Sequence, residues 1–318
     1  GRVMRRINHS SQAIKSFQTE AARAGLQQSD KLMFTWLANT LQGGVKFVIP
    51  DANMIFDGGD TTRGMELVRL PYPVTVLEYE VEGLIGDEQV CAPKRIALCI
   101  SPSSPSLDAI EGLFCDHQSE LPTRDDEDGI YIVAMFELAG AWFVPPVLSL
   151  VRSEPDPISN PRRTASNSRW AQRFRMLPLP IEASLQSYSG TDKQITDELL
   201  QDVHDEVNAA VAFCKLMNCS NVHEQVIPAP RAINAARARK GKLPLFEYRT
   251  LVVDVTAIPR DRSDSHAESS ERASPRQHLR RGHIRRIADR VVWVNAAVVG
   301  AHGRIEKTYR IKGGRNVA

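Results

Sequence analysis

Cysteine is scarce in this sequence, and the few cysteines it has show no paired spacing. There are five in 318 residues, an odd number, and none belongs to a CxxC pair. A disulfide framework or a cysteine-based zinc site needs such spacing, so the sequence indicates neither, and we expect reduced thiols. His204 and His223 are isolated as well. We therefore predict neither a metal site nor a cofactor.

Long apolar runs and the common catalytic signatures are also missing. No run of 18 apolar residues occurs, and the first thirty residues are polar rather than signal-like. There is no GxxxxGK[ST] loop, no GxGxxG after a predicted strand, no GxSxG elbow and no kinase set. We therefore expect a cytoplasmic protein without a membrane span and without a nucleotide site of a familiar type.

The net charge of the chain is small. It is formally +2 at pH 7, with 25% charged and 42% hydrophobic residues. This composition supports a folded core, but it gives no global attraction to nucleic acid or to a membrane. Any binding of a polyanion must therefore come from local clusters of basic residues.

Helical periodicity marks four segments of the chain. Apolar residues recur every three to four positions in His9 to Gly25, in a second segment that Ser29-Asp30 can cap, and in the longest, Gln194 to Leu216. A short fourth helix is predicted from Arg231 to Lys240. We expect the glycine that follows, Gly241, to end it.

Short runs of β-branched and aromatic residues predict the strands. The proline pair 145–146 is expected to stop strand pairing beyond it, and Gly300 to Gly303 is expected to form the turn of a C-terminal hairpin. The predicted strands are Val45 to Ile49, Met65 to Arg69, Val74 to Val81, Arg95 to Ile100, Tyr131 to Leu138, Trp142 to Val144, Phe246 to Val255, Val291 to Val299 and Arg304 to Ile311.

A change of composition suggests how the chain is organised. Residues 152–167 contain three prolines and almost no large apolar residue, which is typical of a linker or a long surface loop. We divide the chain into residues 1–150, a helix pair with a β-rich region; residues 151–170, the linker or loop; and residues 171–318, an α+β region. The outer two form either one domain or two. The predicted fold class is α+β, with an antiparallel or mixed sheet, packed helices and a C-terminal β-hairpin.

The sharpest local feature is the Arg-rich stretch, Ser274 to Arg290, with the sequence SPRQHLRRGHIRRIADR. We expect it to form a loop ahead of the C-terminal hairpin. Seven arginines lie between residues 271 and 290, against two acidic residues. So many guanidinium groups repel one another unless anions lie among them, and the planar arginine fork matches phosphate oxygens. The stretch therefore predicts a phosphate-binding surface. The residues predicted to bind are Arg276, Arg280, Arg281, Arg285 and Arg286, with Arg237 and Lys240 alongside.

A second basic segment lies just before the strand predicted from Phe246. Its cations are Arg231, Arg237, Arg239, Lys240 and Lys242. The neighbouring Phe246 and Tyr248 are candidates for stacking on nucleic-acid bases. Two basic segments on either side of one strand favour a shared anion-binding face more strongly than either segment alone.

Two alternatives accompany this hypothesis. His278 and His283 could act as acid and base of a metal-independent ribonuclease, with Arg281 stabilising the charged phosphorane. The arginines could instead pair with the acidic residues of 261–271 or 125–128 and tie loops together. That second arrangement would suit an interaction protein that engages a host enzyme or a virion component.

Four segments of the chain are similar to segments of other proteins: Arg237 to Tyr248, Ser274 to Arg286, Val292 to Val294 and, in the N-terminal half, Leu70 to Tyr79. They resemble uncharacterised proteins of phages and prophages. The resemblance implies a mobile-element setting inside a bacterial cell, and it implies no activity. We therefore predict a phage- or prophage-encoded protein in the cytoplasm of the bacterial host that binds RNA or DNA, with a host or phage protein as a further possible partner.

Overall fold

The computed structural model describes residues 7–49, 64–81, 94–115, 128–155, 173–254, 278–280, 283–287, 290–294 and 297–299. For residues 111–115, 278–280, 283 and 297–299 it describes the backbone alone. Within these ranges, no helix is both long enough and apolar enough to cross a membrane.

The described chain contains helices, strands and one short 3-10 helix, Met65–Leu67. The helices are α1 (His9–Ala21), α2 (Gln28–Gly43), α3 (Pro105–Cys115), α4 (Glu182–Leu185), α5 (Asp192–Met217) and α6 (Arg231–Ala238). The strands are β1 (Val45–Val48), β2 (Val74–Glu80), β3 (Lys94–Ile100), β4 (Ile130–Leu138), β5 (Ala141–Phe143), β6 (Val147–Val151), β7 (Phe174–Pro178), β8 (Val222–Ile227), β9 (Tyr248–Val253), β10 (His278–Arg280), β11 (His283–Ile287), β12 (Arg290–Val294) and β13 (Ala297–Val299).

Nine of these strands form one mixed sheet. Its order is β7-β6-β4-β3-β2-β1-β9-β8, and β5 pairs with β4 beside this path. β1 is parallel to both of its neighbours, β2 and β9, and the remaining pairs are antiparallel. Strands from both halves of the chain therefore belong to the same sheet. The predicted α+β fold with a mixed sheet is confirmed.

Helices cover both faces of the sheet. Leu98 and Val133 pack with α1 and α2 on one face, whereas Ala97 and Ile132 pack with α5 on the other. Successive side chains of a strand point to opposite faces, so a strand covered on both sides must be apolar at nearly every position. This explains why β3 from Ile96 onward and most of β4 are continuous apolar runs rather than alternating ones.

Two local predictions about the strands are wrong. The segment predicted as a strand from Met65 forms a 3-10 turn instead, and the side-chain amide of Asn218 donates to the Leu67 and Arg69 carbonyls, both at 3.0 Å. The prolines at 145 and 146 do not stop strand pairing, because β6 begins directly after them and pairs with β4 and β7. They occupy the connection between β5 and β6, where no ladder hydrogen bond is required.

The region between β6 and β7 was predicted to be a linker or a long surface loop. Most of it, residues 156–170, lies outside the described residues. β6 and β7 themselves lie side by side in antiparallel pairing, from Val147 opposite Pro178 to Val151 opposite Phe174. The chain therefore leaves the sheet after β6 and returns to the adjacent position.

The described chain has an antiparallel C-terminal hairpin, formed by β11 and β12. β12 pairs with β11, so part of the stretch that we expected to be a loop is a strand. The pairing runs from His283 opposite Val294 to Ile287 opposite Arg290, and the backbone of His278 lies opposite Val299 in a separate pair of strands. The predicted strand Arg304 to Ile311 and its turn lie outside the described residues.

Candidate functional site

The short helix α6 and the turn after it, residues 231–242, present a dense group of cations; we call this segment the basic helix. It is rich in alanine, the strongest helix former, and none of the residues of α6 is buried. It ends in a Schellman motif, in which the Lys242 N–H donates to the Arg237 carbonyl and the Gly241 N–H to the Ala238 carbonyl, both at 3.0 Å. Gly241 has a φ of 61°, a conformation that favours glycine, and it ends the helix as predicted.

Two side chains fix the orientation of the basic helix. The Asn234 amide donates to the Leu245 carbonyl at 2.9 Å and accepts from the Leu245 N–H at 2.7 Å. The Arg237 Nε–H donates to the Leu243 carbonyl at 2.6 Å. One flank of the helix is thereby tied to the chain that returns to β9. The opposite flank faces solvent.

No carboxylate in the described part of the chain compensates the charge of the basic helix. No Asp or Glu occurs from residue 225 to residue 246. None of its five cations forms an ion pair with a carboxylate in the described part of the chain. Arg231, Arg239, Lys240 and Lys242 are exposed, and Arg237 is half-buried. The segment is therefore a local source of positive potential on a nearly neutral protein.

The two aromatic residues expected to stack on bases are engaged within the protein. Tyr248 is buried, and its hydroxyl donates to Glu78 Oε1 at 3.0 Å. The ring of Phe246 is half-buried, packs against the core and lies 4.0 Å from the Lys46 ammonium. Lys46 in turn donates to three backbone carbonyls at the end of α2, and its burial lowers its pKa to about 8. Tyr248 is therefore not available as a stacking platform, and Phe246 is occupied in part by its contacts within the protein.

The hairpin of β11 and β12, which contains the second half of the Arg-rich stretch, is docked on the turn between α5 and β8. Asn221 in this turn is fully buried, and its side chain bonds both backbone groups of Trp293: it accepts from the N–H at 2.8 Å and donates to the carbonyl at 2.9 Å. The Ser220 N–H donates to the Val291 carbonyl at 2.8 Å. Ile284 and Trp293 pack on a small apolar cluster around Leu216. The Asn221 side chain thus makes the two backbone hydrogen bonds that a neighbouring strand would otherwise make with Trp293, and these bonds hold β12 in position.

The predicted site residues of the Arg-rich stretch are only partly described. Arg286 forms an ion pair with Glu66 in the 3-10 turn, and Arg285 is exposed. For His278, Arg280 and His283 the backbone lies in strands, but the side chains are outside the described residues, as are Arg276 and Arg281. Of the acidic partners considered above, Asp128 is described, and it lies 4.0 Å from Arg152 instead.

The described part of the Arg-rich stretch is not adjacent to the basic helix. The hairpin docks next to Val222, where β8 begins, whereas the basic helix follows Ile227, where β8 ends. Five residues of strand separate these points by about 17 Å. They can therefore contact the same ligand only if that ligand is extended.

The described part of the chain offers no metal centre, because no three His, Cys, Asp or Glu side chains in it are placed to hold an ion. Comparison of the chain with protein-family models, with curated proteins and with solved structures gave no match. Sequence reasoning missed Asn221, since its partner Trp293 is more than seventy residues away and an asparagine in a turn carries no signal for such a contact.

Replacing Asn221 by alanine is expected to loosen the hairpin without disturbing the sheet. The N–H and carbonyl of Trp293 would lose their partners, at a cost of roughly 2 kcal/mol. Amide hydrogen exchange of residues 283–294 should therefore become about ten- to a hundredfold faster, while exchange in β2 to β4 is unchanged. Ser220→Ala, which removes one hydroxyl bond to the Val291 carbonyl, is the milder control. Unchanged exchange in the hairpin would show that Asn221 does not anchor it.

Proposed function

We propose that the protein binds nucleic acid through its phosphates, with the basic helix as the main contact and the Arg-rich hairpin as a second one. The observation that carries the proposal is the group of five cations within twelve residues, with no acidic residue in the sequence from 225 to 246 and no ion pair to a described carboxylate. Such a cluster repels itself and is stabilised by a bound polyanion. The arginine fork also matches phosphate oxygens.

The arrangement suits an extended anion better than a small one. A small phosphate compound is held by groups that converge on one pocket, whereas these cations spread along a helix and its turn. The exposed Arg285 and Arg290 of the hairpin lie near the other end of β8, about 17 Å away. A polymer with regularly spaced phosphates can reach both places. Ribonuclease activity of His278 and His283, and binding of a host or virion protein, stay predictions from the sequence.

Reversing two charges of the basic helix tests the proposal. Arg239→Glu with Lys240→Glu changes exposed side chains that form no ion pair with a described carboxylate. Fluorescence anisotropy with a labelled probe of about 20 nucleotides at low salt should show an affinity at least about tenfold weaker than that of the original protein. The affinity of the double variant should also fall less steeply as the salt concentration rises, because about two phosphate contacts are lost.

A matched control carries the same change of net charge elsewhere. Lys193→Glu with Arg23→Glu alters exposed residues of α5 and of the chain after α1. It should bind the probe nearly as well as the original protein, because the effect depends on the local cluster rather than on net charge. Equal losses in both double variants, or no binding by the original protein at any salt concentration, would overturn the proposal.

A further inference from the structure

We infer that the basic helix inserts into the major groove of double-stranded DNA, with the cations at its two ends on opposite phosphate walls. This inference rests on the proposed function and specifies its ligand. It follows from three features of residues 231–242: the distance between the cations, the small side chains between them, and the fixed orientation of the helix.

The cations are separated by the width of the groove. Arg231 begins the helix, and Arg239 lies eight residues later, which corresponds to about 12 Å along a helix axis. The major groove of B-form DNA is roughly 12 Å wide. A helix lying across it therefore places Arg231 near one backbone, and Arg239 with Lys240 and Lys242 near the other. The first-turn N–H groups, which no side chain caps, add favourable partial charge on the Arg231 side.

The outward side of the helix is small and mostly apolar. Ala232, Ala235 and Ala236 are all exposed on the side opposite Asn234 and Arg237, and Arg239 follows them at the end of the helix. A surface helix that faces only water normally carries polar residues there. Alanine side chains allow the backbone to approach base edges closely and can contact the methyl group of thymine. This composition is suited to the floor of a groove.

The orientation of the helix is set by the flank opposite this surface. Asn234 and Arg237 hold the chain at Leu243 and Leu245, so the alanine side stays outward without any rearrangement. A helix presented rigidly in this way loses little conformational entropy on binding. The protein therefore holds this surface ready before the ligand arrives.

Other nucleic acids fit these features less well. Single strands are bound largely by stacking of bases on exposed aromatic rings, and Phe246 and Tyr248 beside the basic helix are engaged within the protein. Duplex RNA has a deep, narrow major groove that does not admit a helix. B-form DNA has both the groove width and the phosphate spacing that the cations require.

The test compares three probes of one sequence: a DNA duplex of about 20 base pairs, its single strand and the corresponding RNA duplex. Fluorescence anisotropy with the full chain should give an affinity for the DNA duplex at least about tenfold higher than for the other two. Equal or tighter binding of the single strand or of the RNA duplex would overturn the groove inference and leave the proposed function intact. No binding of any probe would overturn both.

A pair of uncharged variants separates groove insertion from charge attraction. Ala236→Leu enlarges the outward side and should weaken DNA duplex binding about tenfold, while single-strand binding changes less than about twofold. Ala238→Leu adds the same volume to an exposed position on the flank of Asn234 and should leave both affinities within about twofold. Circular dichroism and thermal unfolding of each variant establish that the fold is retained. Equal effects of the two substitutions would overturn the assignment of the outward side.

Discussion

Replacing Glu78 by leucine is expected to lower the free energy of unfolding by about 3–5 kcal/mol, because this fully buried carboxylate serves several donors at once. The His9 N–H donates to it at 2.7 Å, the Ser10 N–H at 3.2 Å and the Tyr248 hydroxyl at 3.0 Å. Each donor would be left buried without an acceptor, and each costs about 1–3 kcal/mol in that state. The apolar contacts of leucine offset part of this loss. Chemical denaturation followed by tryptophan fluorescence measures the difference.

Glu78 also takes the place of a side-chain cap at the start of α1. Asn8, the residue before the helix, makes no capping hydrogen bond, so the first N–H groups of α1 depend on the carboxylate from β2. Glu78→Gln keeps one acceptor oxygen and should cost only about 1–2 kcal/mol. A leucine variant within about 1 kcal/mol of the original protein would mean that the helix finds other partners for these donors.

Replacing Arg95 by methionine is expected to produce a second large loss, about 3–5 kcal/mol above pH 7, because it leaves a buried carboxylate without its cation. Arg95 donates to both oxygens of the fully buried Glu206, at 3.0 and 3.2 Å, and lies 3.6 Å from Asp205. Burial raises the pKa of Glu206 to about 7, although Arg95 acts in the opposite direction. Without Arg95 this pKa should rise further.

The sign of the pH dependence follows from that shift. The pKa of Glu206 is higher in the folded state than in the unfolded chain, so its contribution to stability is full below about pH 4.5 and is lost as the pH rises through 7. The penalty of Arg95→Met should therefore be smaller at about pH 5 than at about pH 8, by about 1 kcal/mol, because pH 8 lies one unit above the pKa of Glu206 in the original protein. Glu206→Gln removes the titrating group and should flatten the curve. A penalty for Arg95→Met that is equal at both pH values would contradict this account.

The sequence predicted best those elements whose signal is local. α5 was expected from Gln194 to Leu216 and is observed at Asp192–Met217, because its apolar stripe is long and Thr191 with Gln194 forms a capping box. β7 and β8 were missed. They are short strands at the two edges of the sheet, and their apolar and polar residues alternate too weakly to distinguish them from loops. Position in the sheet, rather than composition, makes them strands.

The same distinction holds for the candidate site. The basic helix and its end at Gly241 were predicted, since charge clusters and glycine stops are visible in a few consecutive residues. The buried hydrogen bond of Tyr248 was not predicted. Its partner Glu78 is far away in the chain, and the sequence does not distinguish an exposed tyrosine from a buried one. Asp30 is a similar case: it was expected to cap α2, and its carboxylate instead accepts from the first N–H groups of α4.

The parallel pairing of β1 has a consequence for the order in which the protein forms during synthesis. Lys46 in β1 lies opposite Tyr248 in β9, about 200 residues later, so one edge of β1 has no partner until most of the chain has left the ribosome. Until then the incomplete sheet presents an unpaired, apolar strand edge that can recruit another chain. We expect nascent chains that stop before Val253 to be aggregation-prone, and chains that extend past it to become resistant to proteolysis in a single step.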